Sequence, residues 1–226
     1  MYSILNTVGI EESEKHFKIA LSQDPENASA YYWYSQLLTA LRRFPEAMEQ
    51  AALAKKFDPV SSGVQISYCR GFYYNRKYSE AINCLQEILK ERPADIGAKH
   101  VLGFVHVELG QSDEAAKYFE ELPDTNKTLK LVSMAFTNGR AGRRAEALRG
   151  LAELERIAQS EYVPPYEFAV VHLGLGNKKE AFVWLNKAYE ERFAPLVFLT
   201  VNPAYDSIRS DPKFKDLAQR MNLRYE

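Results

Sequence analysis

The residues able to do chemistry are few, and their spacing argues against using them for catalysis. His100 and His106 are six apart, whereas a metal site on one helix face needs ligands three or four apart. His106 and His172 share a slot suited to a core aromatic, so both are expected to be satisfied, partly buried rings. The acidic pairs Glu11-Glu12, Glu120-Glu121 and Glu190-Glu191 are adjacent. On a helix they diverge by about 100° and cannot act as an acid and base couple. Gly174-Leu175-Gly176 lacks the strand, six-residue glycine motif and helix of a phosphate loop, and Gly176 fits a turn between helices instead. Arg140, Arg143, Arg144 and Arg149 are interleaved with or followed by Glu146, Glu153 and Glu155, the pattern of a solvated turn rather than a phosphate site. Cys69 and Cys84 are expected to be inert reduced thiols. No Ser-His-Asp or Cys-His arrangement is signalled, so the expectation is a chain without catalytic residues, metal or cofactor.

Composition agrees. The 226 residues are 46% apolar and 12% aromatic, enough to bury a core of one large domain or two small ones. With 29 basic and 30 acidic residues, no global field attracts nucleic acid or anionic lipid. Two cysteines are too few for a disulfide framework and suggest a reducing, cytoplasmic location. The uncharged stretches from Asn27 to Leu41 and from Phe193 to Tyr205 are too short to span a bilayer. A soluble chain without membrane insertion is expected.

What must position any functional surface is a repeat. Pro25, Pro59 and Pro93 lie 34 apart, and Ala47, Ala81 and Ala115 keep the same beat before it slips by two residues to Ala147 and resumes at Ala181. Each of these alanines follows a glutamate. Twelve residues earlier stands a second column, Ser35, Cys69, Gly103, Ala135 and Ala169, all small. Two helices joined by a tight turn approach closely only where side chains are small, so the two columns mark one crossing point. Larger residues flank it: Tyr34, Tyr68, Leu102, Met134 and Phe168 on the first helices, and Ala51, Leu85, Phe119, Leu151 and Leu185 on the second.

These columns resemble the tetratricopeptide repeat, most closely from Tyr31 through Tyr34, Ser35, Leu38, Ala47 and Ala54 to Pro59, and at Leu102-Gly103 with Ala115 and Phe119. Gln65 and Lys99 replace the first aromatic in two copies. The resemblance covers about residues 9–192 and implies an all-α fold, a right-handed superhelical solenoid of antiparallel helix pairs. The pairs are predicted at 28–41 with 45–57, 62–75 with 79–91, 96–109 with 113–122, 128–141 with 145–158, and 165–175 with 179–191. Residues 1–27 read as a partial first repeat, 28–192 as five pairs and 193–226 as a capping segment and helix. Tyr2, Ile4, Leu5 and Val8 are left to cover the next helix, which suggests a chain cut from something longer.

In the tail, Asp211-Pro212 is a helix start and Phe214, Leu217 and Met221 form an apolar stripe, expected to close the last repeat. Together with Tyr162-Val163-Pro164-Pro165-Tyr166 and Ala181-Phe182-Val183-Trp184-Leu185, the tail resembles the C-terminal end of bacterial multidomain regulators. There the repeats follow a winged-helix, nucleotide cyclase or serine/threonine kinase domain. The resemblance implies a sensing or docking part in signalling or transcription regulation.

First helices line the inner face of such a stack, which turns Tyr32, Gln36, Arg70, Tyr73, Tyr74, His100, Phe104, Glu108, Phe136, Arg140 and Tyr166 toward a groove. Tyrosines with a few arginines suit a site for a protein or peptide partner, or for an effector domain of the parent chain; the alternative for these rings is packing between repeats. Repeats of this family that grip a C-terminal carboxylate use Lys and Asn on successive first helices. Here those positions hold Tyr32, Gln36, Ile66, Arg70, His100 and Phe104, so no such clamp is expected. The alternative is a self-associating scaffold, a homo-oligomer without a peptide ligand.

Overall fold

The computed structural model describes residues 10–223, so the expectation for Tyr2, Ile4, Leu5 and Val8 lies outside it. The described residues are all-α, in the class of helical solenoids, with helices in order α1 (Ile10–Gln23), α2 (Ala28–Ala40), α3 (Phe44–Phe57), α4 (Ser62–Tyr74), α5 (Tyr78–Glu91), α6 (Ile96–Glu108), α7 (Ser112–Glu120), α8 (Lys127–Arg140), α9 (Arg144–Ile157), α10 (Pro165–Gly174), α11 (Lys178–Glu190) and α12 (Pro212–Arg220). Short 3-10 helices lie at Asp124–Asn126, Ala194–Phe198 and Pro203–Ile208. The five predicted pairs are α2 with α3 through α10 with α11, each boundary within one or two residues of its expected place.

Both columns are buried, and the alanine column extends back one repeat to Ser13 on α1, which is 2% exposed. A side chain at Gly103 would sit within 2.4 Å of the Phe119 ring, which is why this crossing needs glycine. Each turn inside a pair holds one residue in the left-handed region: Arg42, Arg76, Gly110, Gly142 and Gly176, with φ between 61° and 77°. His106 and His172 are buried as expected, each meeting a turn residue five positions on, Gln111 at 2.6 Å and Asn177 at 3.5 Å.

The missing aromatics have polar replacements. Gln65 donates to the Pro59 carbonyl and accepts from Arg92 at 2.8 Å. Lys99 pairs with Glu121 at 2.7 Å. At α1, Glu14 accepts from the Tyr34 hydroxyl at 2.9 Å and from Arg43 at 2.5 Å. The Arg43 guanidinium holds the Glu14 carboxyl down at about 2, despite its partial burial.

The cysteines overturn the expectation of reduced thiols. Cys69 and Cys84 form a disulfide, with Cα atoms 5.5 Å apart. Cys69 stands in the small column and Cys84 three residues after Ala81, so the two face each other across the crossing of α4 and α5. The equivalent pair in α8 and α9 is Ala135 and Gly150, where a Cβ on the glycine would lie 2.7 Å from the alanine Cβ. At Cys69 and Cys84 the Cα separation of 5.5 Å lies within the range a disulfide spans.

The chain divides into two compact units. One runs to Asp95 and includes Val197–Pro203 and the chain from Lys215; the other comprises Ile96–Leu196 and Ala204–Phe214. The tail is thus apportioned between the two units. Ala204–Phe214 belongs with α10 and α11, burying Tyr205, Ile208 and Phe214, with Lys213 6.0 Å over the Phe182 ring. Val197–Pro203 joins the N-terminal helices instead. The helix start is as predicted: the Lys213 amide donates to Asp211 at 2.9 Å, and Phe214, Leu217 and Met221 are all buried.

Candidate interaction surface

The groove residues separate into two sets, one in each unit. In the N-terminal unit, α2 supplies Tyr32 and Gln36, and α4 supplies Arg70, Tyr73 and Tyr74. Gln36 is buried and donates to Ser67 across the two helices, so it is an interhelix tie rather than an open contact. Tyr73 and Tyr74 are also buried, which corrects the expectation that their rings stand open. Tyr74 stacks on Phe198 with centroids 5.1 Å apart. Burial pushes its phenol up, Arg70 opposes that and Tyr32 adds to it, so the three groups share one electrostatic neighbourhood.

Tyr32 and Arg70 are half-buried. Tyr32 packs edge-on against Trp33 at 4.8 Å, and Trp33 is 45% exposed. Trp33 escaped the sequence reading because it falls two places after the first aromatic slot, outside the spacing used to select inner positions. Phe198, Val201 and Asn202 escaped it too. Their signal was the uncharged stretch from Phe193 to Tyr205, weighed as a membrane span and as a cap on the last repeat.

In the C-terminal unit the rings form a chain. His100 meets Phe104 edge-on at 5.0 Å, Phe104 meets Phe136 at 5.5 Å, and the Arg140 guanidinium lies 5.7 Å over Phe136. Arg140 also reaches Glu108 at 3.4 Å. Phe136 is fully buried and packs between α6 and α8, so it too is a core ring and not an open contact. His100, Phe104, Glu108 and Tyr166 are half-buried and Arg140 is exposed. Tyr166 packs on Phe193 at 5.1 Å. Beside it in sequence, desolvation raises the Glu167 carboxyl to about 7.

The arginine group resolves into individual bonds. Arg143 pairs with Asp113 at 2.7 Å, Arg149 with Glu146 at 3.2 Å, and Arg144 donates to the Leu175 carbonyl at 3.2 Å. Among the described residues no cluster of His, Cys, Asp and Glu could hold a metal ion, and no helix is long and apolar enough to cross a membrane.

Tetratricopeptide-repeat family models match residues 9–62 and 73–133, together just over half of the sequence. The chain belongs to that family. No curated protein matches the sequence. Among solved structures, a tetratricopeptide repeat protein from Parabacteroides merdae is 14% identical, with a TM-score of 0.58 over 98% of this chain and 95% of its own. A chain of the APC/C hetero-tetramer Cut9–Hcn1 is 14% identical with a TM-score of 0.63, covering 97% of this chain and 47% of its own. MamA is 18% identical with a TM-score of 0.55, covering 69% and 95% respectively. At these identities the likeness is one of fold.

Proposed function

We propose that this chain is a non-enzymatic protein–protein interaction module that takes a peptide or protein segment of a partner on the inner face of its first helices. The observation that carries this reading is the α2 surface of the N-terminal unit, where half-buried Tyr32 packs edge-on against Trp33, itself 45% exposed. Tyrosine and tryptophan rings that remain partly open to solvent are the composition of binding hot spots. A repeat scaffold supports them without using them for its own core.

The docking part of a larger bacterial regulator remains the biological setting we favour, on the strength of the tail and the Tyr162–Tyr166 segment. A cytoplasmic location loses the support the cysteines gave it, because paired cysteines belong more often to oxidising compartments.

Selection of a displayed peptide library on the full chain tests the binding reading. Selected peptides should lose at least tenfold in affinity when Tyr32→Ala and Arg70→Glu are combined, and none when Val60, 83% exposed, is changed to Ala. Failure to enrich any peptide, or peptides indifferent to the double variant, contradicts it.

A further inference from the structure

Val197–Pro203 groups with the N-terminal unit. Three contacts fix Val197–Pro203 to α4 and the turn after it. Phe198 stacks on Tyr74 with ring planes 23° apart, the Tyr73 hydroxyl donates to Asn202 Oδ1 at 3.3 Å, and the Arg76 guanidinium donates to the Val201 carbonyl at 2.5 Å. The segment is a 3-10 and turn stretch rather than a strand, and no residue from Phe193 to Tyr205 is charged.

These contacts read chemistry as a ligand would be read. One ring takes the ring four residues before the asparagine, a hydroxyl takes the asparagine amide oxygen, and a guanidinium takes a main-chain carbonyl between them. A charged side chain at Phe198 would be desolvated against Tyr74 without a partner. On the adjoining helix, Tyr32 lies in the electrostatic neighbourhood of Tyr74.

We propose that the Tyr73–Tyr74 surface recognises a short, uncharged, turn-forming segment with an aromatic residue four positions before an asparagine. Val197–Pro203 is its resident ligand, and a partner protein engages by presenting a segment of the same kind in exchange. This rests on the reading of the inner face as a binding surface and names its ligand class. A tethered segment acts at an effective concentration of about millimolar, so a free peptide competes poorly until the resident is weakened.

The test uses a fluorescent peptide of residues 194–205 and the full chain. Phe198→Ala with Asn202→Ala should bind it at least tenfold tighter than wild type, and adding Tyr74→Ala should remove the gain. A folded double variant that does not bind the peptide better than wild type does, or a gain indifferent to Tyr74→Ala, overturns the proposal.

Should the double variant not fold, Phe198→p-benzoylphenylalanine in the otherwise native chain decides the matter. Photocrosslinking to the Ser62–Tyr74 helix within one monomer supports a resident ligand. Crosslinks elsewhere, or only between two copies, overturn it. If library peptides bind through Tyr32 and Arg70 while the tail peptide fails, the binding reading stands and only this inference falls.

Discussion

Gly139 on α8 and Gly174 at the end of α10 are in backbone contact. A Cβ at Gly139 would lie 2.4 Å from the Gly174 carbonyl carbon, and one at Gly174 would lie 2.6 Å from the Phe136 carbonyl oxygen. Backbone cannot rotate away as a side chain can. Gly139→Ala should therefore lower unfolding free energy by about 1–3 kcal/mol through overpacking. Gly71→Ala, which would meet only the flexible Met48 sulfur at 2.7 Å, should cost less. Urea unfolding of both variants checks the order, and a Gly139→Ala protein as stable as wild type contradicts the contact.

Arg42 and Arg76 hold left-handed turns at φ of 64° and 61°, where the other three pairs have glycine. Replacing Arg42 with Gly should relieve backbone strain and raise stability by up to about 1 kcal/mol, offset in part by the larger entropy of the unfolded chain. Arg76→Gly should gain less or lose, because its guanidinium also holds the Val201 carbonyl. Thermal melts of the two single variants measure the difference.

The disulfide closes a separation of 15 residues between two helices. Constraining the unfolded chain over so short a loop is worth about 3 kcal/mol. Cys69→Ala with Cys84→Ala should be less stable by roughly that amount, since alanine suits the small column and leaves no overpacking. Protein purified without reductant should be two hydrogens lighter by mass than after reduction. Two titratable thiols in that preparation would contradict the pairing.

Glu167 gives a pH dependence of defined sign. Desolvation raises its carboxyl from 4.5 to about 7, so between those values the folded chain binds more protons than the unfolded one. Its contribution is fully present below about pH 4.5 and is lost as pH rises toward and through 7, by about 1–3 kcal/mol. Glu167→Gln should flatten that slope and gain stability at pH 8. An unchanged slope between pH 5 and 8 would show that Glu167 is solvated.

Much of the scaffold was legible because a repeat states its constraints several times. Ser35, Cys69, Gly103, Ala135 and Ala169 are small for one reason, and all lie at helix crossings. The inner face was less legible. Spacing selects which way a side chain points along its own helix, and it carries no information on what arrives from 100 residues away. Tyr73 and Tyr74 are buried, and Phe198 and Asn202 contact them. Phe136 is fully buried and packs on Phe104 of α6. The disulfide was hidden because cysteine in the small column reads as one more small residue until Cys84 is placed opposite it.

The central claim is that partner segments bind on first helices, and amide hydrogen exchange tests it most directly. The full chain is compared with and without a peptide selected from the library. Added protection should fall on Ala28–Ala40 and Ser62–Tyr74, with α3 and α5 unchanged. Protection confined to Phe44–Phe57 and Tyr78–Glu91, or no protection at saturating peptide, would contradict the account.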